Sequence, residues 1–156
     1  MFVDIFSRSG GEGAHGPDHP HFNRELFLSL CSVFERARQE KNTFLSQEHF
    51  MFELLENPEV RSVLLHCGLT PVLLEEIKGK LENMLEICPG ESDPYSALPV
   101  MRALSQVVIR SKAVHKKVGG VYLLYCFLSN DSQGGVLLKT SGISRNILKP
   151  HFDVSL

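Results

Sequence analysis

The sequence predicts an all-α protein, a pseudo-twofold tandem repeat of two four-helix units fused into one globular domain. Apolar residues recur at steps of three and four over most of the chain, which is the period of an amphipathic helix. The second half also repeats the order of the first at an offset of 74 residues, as Gly68 and Gly142 illustrate. No stretch alternates apolar and polar residues over a useful length, so we expect no substantial strands.

Four helices are predicted in the first half. Asn23 opens the first helix, and Ser46 is a suitable N-cap for the second, with an acid in its first turn. Asn57-Pro58 separates the second helix from the third, because a residue before proline avoids helical angles. Gly68 ends the third helix, and Thr70-Pro71 supplies the N-cap and first residue of the fourth. The apolar stripes consist of Leu26, Leu30, Val33, Phe34 and Ala37; Phe50, Phe52, Leu54 and Leu55; Val60, Val63 and Leu64; and Leu74, Ile77, Leu81, Met84 and Leu85.

The second half follows the same plan. Pro99 is expected to open its first helix, residues 112–120 form a basic turn, and an apolar helix runs from Val121 to Leu128. Residues 129–131 break the chain as residues 56–58 do, and two further helices then follow. Neither copy is expected to bury its apolar faces alone, which predicts a single fused globule.

Composition excludes several classes of protein. The 156 residues are 43% hydrophobic and 22% charged, typical of one folded domain of roughly 100–200 residues. A net charge of −2 provides no overall field for nucleic acid or an anionic membrane. No apolar run approaches about 18 residues, and no secretory signal is visible. The cysteines are scattered without a CxxC pair, which favours reduced thiols in a cytoplasmic protein.

The domain boundaries follow from local composition. Residues 1–22 are rich in Gly, Pro and His and poor in apolar residues, so we expect a flexible extension. Residues 23–156 are expected to fold, with repeat one over 23–88, a loop over 89–95 and repeat two over 96–156.

No pattern typical of an enzyme or of a cofactor site is present. The segment Gly134–Thr140 ends in Lys-Thr like a phosphate-binding loop, but Leu138 replaces the glycine that the motif needs before its lysine. The pair Glu48-His49 lacks the second histidine of a zinc peptidase helix, since position 53 is Glu53.

One histidine cluster leaves an alternative open. His15, His19 and His21 lie close to Asp18, so the chain could be a helical module that senses a metal ion or a small ligand. A solvated cluster without a metal explains the same residues, because a flexible arm must be ordered before it can bind a metal.

Several segments resemble the N-terminal domain of Clp-type AAA+ unfoldases, most closely the ClpA branch. The matching stretches are Leu28–Leu30, Phe34–Arg38, Phe44–Leu55 with its Ser-Gln-Glu-His step, and Asn57-Pro58, and the likeness extends over about residues 23–153. The resemblance implies an all-α domain of two four-helix repeats without catalysis. It also implies partners, namely substrate proteins or a ClpS-type adaptor, together with a Clp ATPase ring.

The resemblance further implies a docking site for that adaptor or for substrates. Glu48 and Arg102 match an acid and a fifth-helix arginine of the family's adaptor face, and Asn42, Thr43 and Gln106 fall on neighbouring positions. Thr43 and Gln106 replace charged residues of the family, which weakens a polar docking surface. Glu48 also fits as a first-turn acid that stabilises its own helix, and Arg102 as a solvated surface residue.

We therefore expect a protein-interaction module that contacts its partner around Glu48 and Arg102. The isolated domain is expected to be monomeric, without metal or cofactor, and to bind neither nucleic acid nor membranes. The chain could be part of an unfoldase or a free-standing regulator of a Clp protease complex, and both hypotheses stay open at this point.

Overall fold

The computed structural model describes residues 18–130 and 132–153, and helices account for most of them. Repeat one contains α1 (Arg24–Gln39), α2 (Gln47–Leu54), α3 (Pro58–His66) and α4 (Pro71–Met84), and repeat two contains α5 (Leu98–Val114), α6 (Gly120–Phe127), α7 (Gln133–Thr140), α8 (Arg145–Leu148) and α9 (Pro150–Asp153). The predicted all-α fold is thus confirmed. Two short strands, β1 (Phe44–Leu45) and β2 (Tyr95–Ser96), lie before α2 and α5.

Side chains at the helix starts explain why the helices begin where they do. The Asn23 side chain accepts a hydrogen bond from the Leu26 backbone N–H at 2.9 Å, and Thr70 does the same for Leu73 at 3.1 Å. Ser46 and His49 form a reciprocal capping box at the start of α2. The sequence predicted the N-caps Ser46 and Thr70 and a helix start at Asn23, because a cap bonds to residues only two or three positions away.

The two copies end their third helix in the same way. Gly68 follows α3 with φ +108°, and Gly142 follows α7 with φ +96°, 74 residues later. The next residue, Leu69 or Ile143, donates its N–H to a carbonyl five residues back, at 3.2 Å and 2.9 Å respectively. Both ends are therefore Schellman motifs, which require a residue that tolerates positive φ.

One hydrophobic core joins the two repeats. The predicted stripe of α1 is buried throughout, and Phe34, Phe50 and Phe127 are each at most 1% exposed. The Phe34 and Phe50 ring centroids are 5.9 Å apart, and the Phe50 and Phe127 centroids are 6.4 Å apart. Because Phe127 belongs to repeat two, this aromatic row lies across the repeat boundary.

The strands pair between the repeats, which the sequence did not predict. Phe44 and Leu45 pair in parallel with Tyr95 and Ser96, and an isolated parallel bridge joins Phe22 to Val118. The segment before each repeat's first helix therefore pairs with the segment before the second helix of the other repeat. Strands of one or two residues are too short to show the alternation by which strands are recognised.

The predicted extension is wrong at its C-terminal boundary. Residues 1–17 lie outside the described residues, but His19 is 4% exposed and Phe22 is 1% exposed, so both belong to the folded domain. The His19 ring stacks on Phe22 with centroids 4.2 Å apart. Local composition missed this because Phe22 is buried through its pairing with Val118, which lies in the other repeat.

Two details at the ends of α5 also differ from expectation. The helix begins at Leu98, one residue before Pro99, and continues to Val114, so Lys112 lies in its last turn. His115 then ends the helix with φ 55°, and the turn proper is confined to residues 115–119.

Candidate functional site

Arg102 and Gln106 lie on one face of α5, where their four-residue spacing places them side by side. Both are exposed, and together with Pro99, Ala103, Cys126, Ser129 and Asn130 they line a cleft of about 170 Å³. We call it the Arg102 cleft. Arg102 forms no ion pair with any residue in 18–130 or 132–153, so its charge faces outward.

The floor of the Arg102 cleft is apolar. Cys126 is 3% exposed, and burial raises the pKa of its thiol to about 11, so the thiol stays neutral. Ala103 beside it is 5% exposed. The cleft thus combines an uncharged floor with a cationic and hydrogen-bonding rim, a combination suited to one apolar side chain flanked by polar groups.

Buried hydrogen bonds from α2 hold the loop that forms the far wall. Gln47 is 4% exposed, and its Nε2 donates to the Phe127 carbonyl at 3.1 Å and to the Ser132 hydroxyl at 2.7 Å. Asn130 Nδ2 donates in turn to Gln47 Oε1 at 2.8 Å. This network fixes the loop between α6 and α7 against repeat one, so the wall of the cleft is set before any partner arrives.

Glu48 lies at the contact between α2 and α7. Its Oε2 accepts the Gly134 backbone N–H at 3.0 Å, at the N-terminus of α7, where a carboxylate is stabilised by the helix dipole. Glu48 is half-buried and is not among the residues that line the Arg102 cleft. The hydrogen bond from Gly134 to Glu48 therefore joins α2 to α7 and stabilises their packing.

Gly134 is also explained by this junction. A Cβ on Gly134 would lie 2.9 Å from Met51 Sδ and 3.1 Å from Glu48 Oε2. Glycine is thus needed for the close approach of α2 and α7. This accounts for Gly134 of the phosphate-loop-like segment without a phosphate, and Gly135 lies equally close to the loop before α7, with Asn130 O 3.1 Å from a Cβ placed on it.

Asn42 and Thr43 join the segment before β1 to residues 86–88, which follow α4. Asn42 is 1% exposed; its Oδ1 accepts the backbone N–H groups of Phe44 at 3.3 Å and Cys88 at 2.8 Å, and its Nδ2 donates to the Glu86 carbonyl. Thr43 Oγ1 donates to the Cys88 carbonyl at 2.9 Å. Of the five predicted site residues, only Arg102 and Gln106 line the same cleft.

A second, larger cleft lies at the other end of α5, where the sequence indicated a basic turn. It measures about 230 Å³, and its lining includes Arg110, Lys116 and Lys117 beside Val114, Val118 and Tyr122. We call it the basic cleft. The signal for it was the predicted basic turn over residues 112–120, which also contains Val114 and Val118. Tyr122 belongs to the apolar helix that was predicted after this turn.

The histidine cluster does not form a ready metal site in the described part of the chain. His19 Nδ1 accepts the backbone N–H groups of His21 at 3.1 Å and Phe22 at 3.3 Å, and His15 lies outside the described residues. Within 18–130 and 132–153, no three His, Cys, Asp or Glu side chains are arranged to hold a metal ion. Over the same residues, no helix is both long and apolar enough to cross a bilayer.

Comparison with known proteins agrees with the fold. The profile of the Clp repeat (R) N-terminal domain family matches residues 21–149. The structure is similar to the N-domain of ClpV from Vibrio cholerae, with a TM-score of 0.68, 20% identity, and coverage of 85% of this chain and 83% of that one. It is also similar to the Hsp104 N-terminal domain from Candida albicans, with a TM-score of 0.67, 15% identity, and coverage of 83% and 87%.

A third similar structure is a complex of the ClpV N-domain with a VipB peptide. Its TM-score is 0.66 at 21% identity, and the match covers 84% of each chain. Identities this low establish a shared fold. Closeness to the ClpA branch stays a prediction from the sequence.

Proposed function

Because the chain belongs to the Clp repeat (R) N-terminal domain family, we propose that it is a non-catalytic domain that recruits proteins to an ATP-dependent Clp unfoldase or protease in the cytoplasm. Its partners are substrate proteins or a ClpS-type adaptor. A similar N-domain has been captured with a peptide of another protein, which supports a peptide-binding role for this fold.

The Arg102 cleft is the observation that supports this proposal best. It offers an exposed guanidinium and an exposed amide above a buried, neutral floor. A volume of about 170 Å³ accommodates one side chain of moderate size. In this arrangement Arg102 pairs with a partner carboxylate, Gln106 exchanges hydrogen bonds with the partner's backbone, and an apolar side chain covers Ala103 and Cys126.

The rigid wall of the cleft favours binding without rearrangement. The Gln47 network orders Asn130 and Ser132 in the free domain, so little conformational entropy is lost when a partner docks. The contact area is nevertheless small, which fits a weak, reversible encounter of the kind that a recruitment step needs.

Calorimetric titration with a ClpS-type adaptor, and separately with an unfolded substrate protein, tests the proposal. We expect saturable binding of at least one of the two, weakened roughly fivefold by Arg102→Ala and by Gln106→Ala. Arg38→Ala is the matched control, since Arg38 is also exposed but lines a different cleft. Wild-type protein that binds neither probe, or an equal loss in the Arg38 variant, would contradict the assignment.

The Glu48→Gln variant distinguishes a role of Glu48 in partner binding from a role in the stability of the fold. Because the Glu48 carboxylate bonds to the N-terminus of α7, we expect this variant to lose stability while keeping its affinity for the partner. A loss of affinity at unchanged stability would instead place Glu48 in the contact surface, as the sequence resemblance implied.

A further inference from the structure

The near-neutral net charge conceals a strong separation of charge between the repeats. Residues 23–95 contain thirteen Asp and Glu against seven Lys and Arg, whereas residues 96–156 contain eight Lys and Arg against two Asp. Neither Asp nor Glu occurs from residue 94 to residue 130. Repeat two therefore presents a positive surface to solvent even though the whole chain carries −2.

The basic cleft lies within this positive region. Lys116 and Lys117 are exposed on its rim, and the exposed Lys112 and His115 lie next to it at the end of α5. Lys117 pairs with Asp18, but both side chains are exposed, at 47% and 72%, and an exposed pair contributes little. The rim is thus a cluster of cations around a concave surface.

The turn that forms the cleft is held in place from two sides. Val118 donates its N–H to the His21 carbonyl at 2.8 Å and accepts the Asn23 N–H at 2.9 Å. Ser111, which is 4% exposed, donates its hydroxyl to the Lys116 carbonyl at 2.7 Å. The lysines therefore project from an ordered backbone.

The lining of the cleft favours a protein segment over a polyphosphate. Val114 and Val118 supply apolar lining between the cations. Glu59 also lines the cleft and accepts a hydrogen bond from Asn23 Nδ2 at 3.1 Å, so closely spaced phosphates would meet a carboxylate.

Base stacking is disfavoured as well. The Arg110 guanidinium lies 4.8 Å from the Tyr122 ring centroid, and the Phe152 ring contacts Tyr122 edge-on with centroids 5.0 Å apart. Single-stranded nucleic acids bind proteins largely by stacking bases on open aromatic faces. Tyr122 is already engaged by these two neighbours.

We propose that the basic cleft is a second docking site, which takes an acidic, amphipathic segment of a partner protein. Its acidic side chains pair with the lysine rim, and its apolar side chains pack on Val114 and Val118. Lys112 follows Arg102 by ten residues, about 15 Å along α5, so the two sites lie at opposite ends of one helix. The inference rests on the proposed function only in taking a protein segment as the occupant.

Fluorescence anisotropy of the full chain with a labelled peptide of alternating Glu and Leu tests this site. We expect saturable binding that weakens as salt is raised, because the rim charges are exposed. A peptide of the same length with Gln in place of Glu should bind much more weakly. The double variant Lys112→Glu, Lys117→Glu should lose about tenfold or more in affinity.

The matched control is the double variant Arg38→Glu, Lys80→Glu, which changes the net charge equally on exposed residues of repeat one and should bind like wild type. Arg102→Ala should also leave the affinity for this peptide unchanged, so failure of the Arg102 cleft and failure of the basic cleft are distinguishable. Thermal unfolding of each variant checks that it is folded.

Three results would overturn the inference. The first is equal affinity for the Glu and Gln peptides, or no binding of either. The second is an equal loss in the repeat-one control. The third is tighter binding of a single-stranded RNA, or of vesicles that contain phosphatidylserine, than of the acidic peptide.

Discussion

His19 illustrates how the stability of the fold depends on the protonation state of one side chain. Its ring is buried against Phe22, and Nδ1 accepts two backbone N–H groups, so the fold holds the neutral imidazole. Burial, with smaller contributions from the charges of His21 and Lys117, lowers its pKa from 6.5 to about 4. The unfolded chain therefore takes up a proton at a higher pH than the folded chain does.

We expect His19 to destabilise the fold as the pH falls from about 6.5 to about 4. In this window the unfolded state binds the proton and the folded state does not, which lowers the free energy of unfolding by up to about 3 kcal/mol. Urea denaturation at a series of pH values measures the free energy of unfolding. In the His19→Gln variant, we expect the part of its pH dependence that His19 causes to be absent.

The comparison with His19→Gln is needed because other groups act in the opposite direction. Burial raises the pKa of Glu53 and Glu59, so the folded state binds their protons first and gains stability as the pH falls. Both glutamates are present in wild type and variant, and their effect cancels in the difference. An identical pH slope in the two proteins would contradict the role assigned to His19.

Within α4 and after α3, two glycines give opposite expectations for the same substitution. Gly79 lies inside α4, and nothing lies within 4 Å of a Cβ placed on it, so Gly79→Ala should raise the free energy of unfolding by about 0.5–1 kcal/mol. Gly68 also has open space around it, but its φ of +108° strains any other residue. Gly68→Ala should therefore lower the same free energy by about 1–2 kcal/mol.

Urea denaturation of the two variants measures both effects against wild type. Because space is open at each site, a difference in sign between them isolates the backbone conformation. Changes of the same sign would show that the Schellman end of α3 is not a determinant of stability.

Helix ends could be predicted from the sequence because the interactions that define them are local. The caps at Ser46 and Thr70 and the glycine after α3 act over a few residues, and all three were predicted, as was the start of the first helix at Asn23. The strands could not be predicted, since each is two residues long and pairs with the other repeat.

In the candidate site, too, local contacts could be predicted and long-range contacts could not. Arg102 and Gln106 line one cleft because the helix spacing that relates them is local. Glu48 bonds to Gly134, 86 residues away, and Asn42 bonds to Cys88, 46 residues away. Contacts of this range depend on the packing of whole repeats, so sequence patterns near Glu48 or Asn42 carry no signal for them.

At the scale of the whole molecule, the paired segments make each repeat depend on the other. Asn23 donates its N–H to the Val118 carbonyl at 2.9 Å, and Ala97 donates its N–H to the Leu45 carbonyl at 2.8 Å. Each bond thus lies at the start of one repeat's first helix and ends in the other repeat. The segment at residues 18–22 is one of these paired segments.

Two truncated chains test the importance of that segment. A chain that starts at Asp18 and one that starts at Asn23 differ only by residues 18–22, which include the buried Phe22 and His19. We expect the shorter chain to be less stable by about 3 kcal/mol or more, from the loss of a buried aromatic side chain and of the pairing with Val118. Equal denaturation midpoints would support the boundary at residue 22 that composition suggested.

The reciprocal pairing also bears on what a cut in the loop at residues 89–94 would produce. Each fragment would keep two segments whose pairing partners lie on the other fragment. Phe34 and Phe50 would stay on the first fragment and Phe127 on the second. Such fragments are complementary pieces of one folding unit. Fused to the halves of a reporter enzyme, they would reconstitute its signal by finding each other, although neither piece alone is a domain.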